Sequence, residues 1–343
     1  MAHPTAVINV VGLDTALLEA APRLRQRAAG GRLVRLKPVL PAVTCPVQAS
    51  MLTGLAPSGH GVVANGWYHR ELAEVHFWKQ SNRLVRGQKV WEAARLRDPS
   101  ITCANLFWWF NMYSTVDYSV TPRPIYTADG RKIPDCYSQP AELRDELQAK
   151  LGQFPLFRFW GPASDITSSR WIARAAQHVH AKYRPTLMLV YLPHLDYALQ
   201  KLGPMHGAIP RAVAEVDEVA SELLDYLDEQ RVRVIVVSEY GIEPVDGAVM
   251  VNRVLRDAGL LRVRRERGRE LLDAGASSAF AVADHQVAHV YVKEARDIER
   301  VASLCAGIAG VEQVLDRRAQ KGQGIDHERS GELVLVAQQG RWF

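Results

Sequence analysis

Three carboxylates and a phenol follow closely on strand-like runs of β-branched and aliphatic residues in this chain: Asp14 after residues 5–13, Asp196 after residues 186–192, and Glu239 with Tyr240 after residues 232–237. Such runs mark strands buried on both faces of a parallel sheet. In open parallel sheets ligands sit beyond the carboxyl ends of the strands, which is where these side chains are expected. Carboxylates gathered there repel one another unless protons or a cation neutralise them, so the pattern implies a divalent metal. Thr44, in the loop Pro41-Ala42-Val43-Thr44-Cys45-Pro46, adds a hydroxyl that a metal could turn into a nucleophile. A short helix after it would aim backbone N–H groups at an anion. Taken singly, each carboxylate is more readily a helix cap or a solvated loop residue, and the bland, less favoured reading of Thr44 is a cap for the helix that follows; the joint pattern carries the metal reading.

The elements that must hold these residues follow from periodicity. Strands are expected at residues 5–13, 101–106, 186–192 and 232–237, and amphipathic helices at 17–29, 141–151, 168–182 and 212–229. After Asp246 the pattern predicts a helix at 251–258, a strand or two within 279–292, a helix at 295–308 and a last strand at 332–337. The alternation predicts an α/β sandwich, a mostly parallel central sheet with helices on both faces, as one domain over residues 1–343. Between residues 67 and 162 the periodicity loosens around Trp78, Trp91, the run Phe107-Trp108-Trp109-Phe110, Tyr113, Tyr118 and Tyr126. An aromatic-rich cap inserted over the sheet edge would read this way, and so would plain aromatic core packing.

Composition sets the outer limits. With 343 residues, 48% of them hydrophobic, the chain can bury a substantial core. A formal charge of +5 is too mild for a nucleic-acid polymer but suits small anions. The four cysteines include no Cys-x-x-Cys pair, so a reducing compartment is the default. No apolar run approaches the ~20 residues of a membrane helix and no signal peptide is visible, so a soluble, cytoplasmic protein without membrane insertion is expected.

The run Pro41-x-x-Thr44-x-Pro46, followed by Leu52-Thr53-Gly54-Leu55-x-Pro57-x-x-His60-Gly61-x-x-x-Asn65, resembles the nucleophile segment of the nucleotide pyrophosphatase/phosphodiesterase branch of the alkaline phosphatase superfamily. The resemblance extends through Gly12-Leu13-Asp14, Tyr191 to Asp196 with Gly203-Pro204, and Val236 to Gly241, and so spans nearly the whole chain. It implies an alkaline-phosphatase-like fold, Thr44 as nucleophile and metal ligand, Asn65 holding phosphoryl oxygens, and Asp14 and Asp196 as metal ligands.

Departures from that pattern carry information. Where the family has Asp-His-Gly-Met this chain reads Glu239-Tyr240-Gly241-Ile242, and where the family has Asp-x-x-x-His it reads Asp196 to Gln200. Both exchanges replace nitrogen donors with oxygen donors, which moves preference from the family's zinc toward manganese, magnesium or iron at one or two sites. The family also carries a histidine ligand beyond a strand resembling Arg329 to Leu335, whereas this chain reaches Phe343 a few residues later. His327 is the expected substitute, with His285 and His206 as alternatives, although a lone loop histidine is commonly just hydrogen-bonded. His60 reads as a buried hydrogen-bonded residue, Arg262 to Arg269 as a solvated charge run, and Arg123 as a turn residue or an anion contact.

These readings predict a metal-dependent hydrolase of phosphodiester or pyrophosphate bonds, acting on a small phosphorylated substrate through phospho-Thr44. A phosphonate hydrolase of the same superfamily, and a non-catalytic or biosynthetic-accessory protein with a degenerate metal site, are the alternatives. A sulfatase is disfavoured, because Cys45-Pro46-Val47-Gln48 lacks the Cys-x-Pro-x-Arg frame.

Overall fold

The computed structural model describes residues 2–343. The chain divides into two compact units, one made of Met1–Lys37, Gln80–Arg83 and Gln88–Glu243, the other of Pro38–Lys79, Leu84–Gly87 and Pro244–Phe343.

The first unit is built on a six-stranded sheet of β1 (Thr5–Val10), β2 (Cys103–Leu106), β3 (Tyr118–Pro122), β4 (Cys136–Gln139), β5 (Leu187–Leu192) and β6 (Arg233–Val237), in the order β6-β1-β5-β2-β3-β4. All neighbours are parallel except β4, which runs antiparallel to β3. β1 is an interior strand, next to the edge strand β6, and its Ala6, Ile8 and Val10 are fully buried, as expected of a strand with both faces covered. The helix Ile209–Glu229 buries Ile209, Val213, Val216, Ala220, Leu223 and Leu227, a stripe of alternating four- and three-residue steps on one face.

The helix expected at residues 17–29 is two helices, Thr15–Leu18 and Pro22–Ala29. Pro22 lacks an N–H and so can begin a helix but not continue one. Ala21 has no side chain to cap the second helix. Asp217, from the long helix, does so instead by accepting the N–H groups of Arg23 at 3.1 Å and Leu24 at 2.8 Å.

Residues 67–162, expected to form a cap, supply strands β2, β3 and β4 of this sheet. The aromatic run there is core: Phe107, Trp108, Trp109 and Phe110 are all buried, and Phe107 packs on Phe154, Phe159 and Trp171 with ring centroids 4.8–6.1 Å apart. Tyr113 and Tyr126 of the same segment are exposed.

The second unit carries a separate antiparallel sheet of β7 (Ala279–Asp284), β8 (Val287–Val292), β9 (Val311–Leu315) and β10 (Leu333–Ala337), in the order β7-β8-β10-β9. Leu255, Val290, Val301, Cys305, Leu333 and Leu335 form its core. Sequence periodicity finds most of these strands and does not reveal that they form a sheet of their own. The same unit holds the helix Thr44–Thr53 and a hairpin of Gly66–His69 with Glu74–Phe77. The arginine-rich run forms the exposed hairpin Val263–Glu266 with Arg269–Leu272, in agreement with a solvated surface. Among the described residues no helix is long and apolar enough to cross a membrane.

Candidate functional site

In the first unit an oxygen-rich cluster is assembled by strand register. β1 pairs with β6 on one side and β5 on the other, Asn9 standing level with Val237 and Tyr191. Asp14, Asp196 and Glu239 follow the ends of these three adjacent parallel strands within a few residues, so the register brings them to one end of the sheet. Asp196 and Glu239 are buried, 3% and 5% exposed. Gly12, at φ +82°, permits the close approach: a Cβ there would stand 3.4 Å from the Asp196 Cα and 2.9 Å from the Leu199 side chain. On the other flank a Cβ on Gly241 would stand 3.3 Å from Asp14 Oδ2.

Hydrogen bonds define what each carboxylate is doing. The Gln200 amide serves Asp196, its Nε2 donating to both carboxylate oxygens at 2.9 and 3.0 Å, while the Tyr240 hydroxyl donates to Oδ1 at 3.1 Å. Glu239 Oε1 accepts from Asn9 Nδ2 at 2.6 Å. Asp14 caps the helix Thr15–Leu18, its Oδ1 accepting the Leu17 N–H at 2.8 Å. Asn9, Gln200 and Tyr240 donate to the two buried carboxylates but bring no charge to offset theirs. The phenols of Tyr191 and Tyr197 are held well above their ordinary pKa, first by burial and then by the nearby Glu239 and Asp196.

The carboxylate oxygens of this cluster are of the donor type that suits a hard divalent cation. The expectation of a preformed metal cluster finds a limit here: among the described residues no three His, Cys, Asp or Glu side chains gather in a way that could hold an ion. Gln200 and Tyr240, expected as ligands, are instead turned toward Asp196 as donors.

In the second unit Thr44 is the first residue of the helix Thr44–Thr53 and is 4% exposed. It is not the cap of that helix, which is Val43, in an extended conformation and without a side-chain cap bond. The first turn is served from a distance: Asn65 Oδ1 accepts the Cys45 N–H at 2.9 Å. Asn65 is itself gripped by Asp284 at the end of β7, whose Oδ2 accepts the Asn65 N–H at 2.6 Å and whose Oδ1 accepts Asn65 Nδ2 at 3.1 Å. His285 Nδ1 lies 2.9 Å from Asp284 Oδ1.

The other histidines separate clearly. His327 Nδ1 faces the Arg329 N–H at 3.1 Å and its Nε2 faces Arg86 Nη1 at 3.1 Å. Burial, followed by Arg329 and Arg86, lowers its pKa. A site among guanidinium groups repels a cation, so the geometry does not support His327 as a metal ligand. His285 contacts Asp284, the carboxylate that holds Asn65. His206 is exposed and accepts the Ala208 N–H at 3.2 Å within its own loop. His60 is fully buried as expected, with Nε2 2.9 Å from Ser50 Oγ and Nδ1 accepting the Val62 N–H at 3.1 Å.

Sequence reasoning missed Asn9 and Asp284. Asn9 had a signal, a lone amide inside an otherwise apolar buried strand. Asp284 had none beyond its place in a tight β7–β8 turn.

The type I phosphodiesterase/nucleotide pyrophosphatase family model matches residues 5–343. An uncharacterized pyrophosphatase/phosphodiesterase of Schizosaccharomyces pombe is 24% identical over 219 residues, covering 61% of this chain and 38% of the relative. Ectonucleotide pyrophosphatase/phosphodiesterase family member 1 of Rattus norvegicus is 23% identical over 243 residues, covering 66% of this chain and 22% of the relative. The matches thus span well under half the length of these curated relatives. Among solved structures, the phosphonoacetate hydrolase of Sinorhizobium meliloti in complex with phosphonoacetate superposes with a TM-score of 0.70 at 18% identity, over 99% of this chain and 82% of that one. Murine ectonucleotide pyrophosphatase/phosphodiesterase 5 gives a TM-score of 0.64 at 16% identity, over 99% and 80%. The fold is the alkaline-phosphatase-like one expected from the motifs, and the chain belongs to the type I phosphodiesterase/nucleotide pyrophosphatase family.

Proposed function

We propose that this protein hydrolyses phosphodiester or pyrophosphate bonds of small phosphorylated compounds, with Thr44 as nucleophile and with Asp14, Asp196 and Glu239, which do not form an ion-holding group as they stand, as the side chains that would turn onto a divalent cation when one is supplied. The observation that supports this most is the start of the Thr44–Thr53 helix. Its first turn presents the Thr44 side chain at the positive end of the helix dipole, with the Cys45 N–H held by Asn65.

In this reading Thr44 Oγ1 gives its proton to solvent and forms a bond to phosphorus as the bond to the leaving oxygen breaks in line, the leaving oxygen taking up a proton from solvent where it needs one. One Nδ2 hydrogen of Asn65 serves Asp284, and the second donates to an equatorial phosphoryl oxygen. Water then cleaves the Thr44 Oγ1–phosphorus bond, restoring the threonine and releasing the phosphorylated product. A bound cation would supply Lewis acidity and neutralise developing negative charge. The all-oxygen donor set favours manganese, magnesium or iron over zinc. A cytoplasmic setting is supported by the cysteines: Cys45, Cys103, Cys136 and Cys305 are all buried and none forms a disulfide.

The test is turnover of bis(p-nitrophenyl) phosphate by purified protein supplied in turn with Mn²⁺, Mg²⁺, Fe²⁺ and Zn²⁺, with phosphonoacetate in a parallel arm. Diester hydrolysis that Thr44→Ala abolishes supports the proposal. Cleavage of phosphonoacetate alone moves the reaction to the carbon–phosphorus bond. No turnover with any ion, together with no bound metal, overturns it in favour of a non-catalytic protein.

A further inference from the structure

We infer that Asp284 is a positioning residue for the reaction: it sets the orientation of Asn65 and, through it, the start of the helix that carries Thr44. This rests on the function proposed above for Thr44 and Asn65, and it concerns a residue outside the motifs that suggested that function.

A side-chain amide has two orientations that differ only in which end is oxygen, and its surroundings decide between them. Asp284 accepts hydrogen bonds and, ionised, donates none. With its Oδ1 3.1 Å from the Asn65 amide nitrogen, it holds the NH₂ end toward itself and turns Oδ1 toward the Cys45 N–H, 2.9 Å away. In the reverse orientation two oxygens would face each other at one end and two N–H donors at the other. The second carboxylate oxygen takes the Asn65 backbone N–H at 2.6 Å, so main chain and side chain are gripped together. Bonds to an ionised acceptor are stronger than neutral ones, and this carboxylate is 4% exposed, with little water to compete.

The support beneath Asp284 is braced by several contacts. It ends β7 and pairs with Val287 across the two-residue turn His285-Gln286. His285 sits at φ +61° in that turn, its Nδ1 2.9 Å from Asp284 Oδ1 and its ring edge-on to Trp342 at 5.7 Å. The His285 carbonyl accepts the Phe343 N–H at 2.9 Å. A buried carboxylate on a braced hairpin that orients an amide, which in turn serves a helix end, is the arrangement by which outer residues fix groups that touch substrate.

The experiment is a double-mutant cycle on bis(p-nitrophenyl) phosphate hydrolysis by the metal-supplied protein, using Asn65→Ala, Asp284→Asn and the two combined, with Thr44→Ala alongside. Asn65→Ala is expected to lower kcat by about 10²-fold, as loss of one transition-state donor does. Asp284→Asn is expected to lower kcat about tenfold with little change in KM, and to add almost nothing in the Asn65→Ala background. A purely structural Asp284 would give the same loss in both backgrounds, and that result overturns the inference, as does an Asp284→Asn protein with wild-type kcat. Wild-type nitrogen-15 NMR gives an independent reading if Asp284→Asn does not fold. One Asn65 Nδ2 proton should lie downfield of the ordinary side-chain amide range and exchange slowly with solvent, and two protons at ordinary shifts with fast exchange overturn the inference. If Thr44→Ala and Asn65→Ala both leave hydrolysis unchanged, the proposed function itself fails; if they abolish it while Asp284→Asn does not affect it, only the role of Asp284 fails.

Discussion

The oxygen cluster of the first unit and the threonine region of the second are built by different means. Asp14, Asp196 and Glu239 are delivered by backbone: three neighbouring parallel strands end together, and the first residues beyond them share one sheet end. Thr44 and Asn65 are set by side chains, through Asp284, which is 219 residues from Asn65 in the chain. The first kind of site follows from composition and periodicity, because buried strands advertise themselves. The second depends on pairings with no local signature. The two also differ in electrical character. The first buries negative charge beside neutral donors, whereas the second presents a helix N-terminus whose N–H is already held.

Four measurements would break or sharpen this contrast. The largest effect is expected at the threonine: Thr44→Ala should lower kcat by at least about 10³-fold while leaving the circular dichroism spectrum unchanged. Residual turnover near wild type would remove the second unit from the chemistry. Next, Glu239→Gln should weaken Mn²⁺ binding about a hundredfold by calorimetric titration, and an unchanged isotherm would show that the carboxylate is not a ligand.

The third concerns pH. Burial lowers the pKa of His60 and of His289 to about 4, so each stays neutral in the folded second unit. The unfolded chain binds those protons below about pH 6.5, so folding stability falls as pH drops from about 6.5 toward 4. At pH 5 each histidine should cost about 2 kcal/mol relative to pH 7. Denaturant titrations should show His289→Gln flattening that slope; an identical slope in the variant would place the acid sensitivity elsewhere. The smallest effect is expected from Asn9→Leu, which removes the donor to Glu239 and should weaken Mn²⁺ binding only about tenfold. A loss as large as that of Glu239→Gln would make Asn9 an equal partner.

Much of the fold was legible. The strands around residues 5–13, 186–192 and 232–237 and the helix near 212–229 appear with shifts of a few residues, because strand hydrophobicity and helical stripes are local properties. The division into two units was not, since antiparallel strands at 279–337 look the same locally whether they extend one sheet or found another. Periodicity placed the aromatic run Phe107–Phe110 no better, because core and surface aromatics share a composition; burial makes it core. The histidine question was likewise closed to local reading. His327 and His285 stand in similar polar loops, and only packing sets one among arginines and the other beside Asp284.

What the sequence by itself determined is the set of reactive residue types and the strand ends that carry the acids, because residue spacing and hydrophobic runs are written in one dimension. Only the tertiary structure decided which hydroxyl begins a helix, which amide serves that helix's first turn, and which carboxylate orients the amide. The physical reason is that a hydrogen bond depends on distance and direction in space, and contacts 219 residues apart leave no periodic trace along the chain.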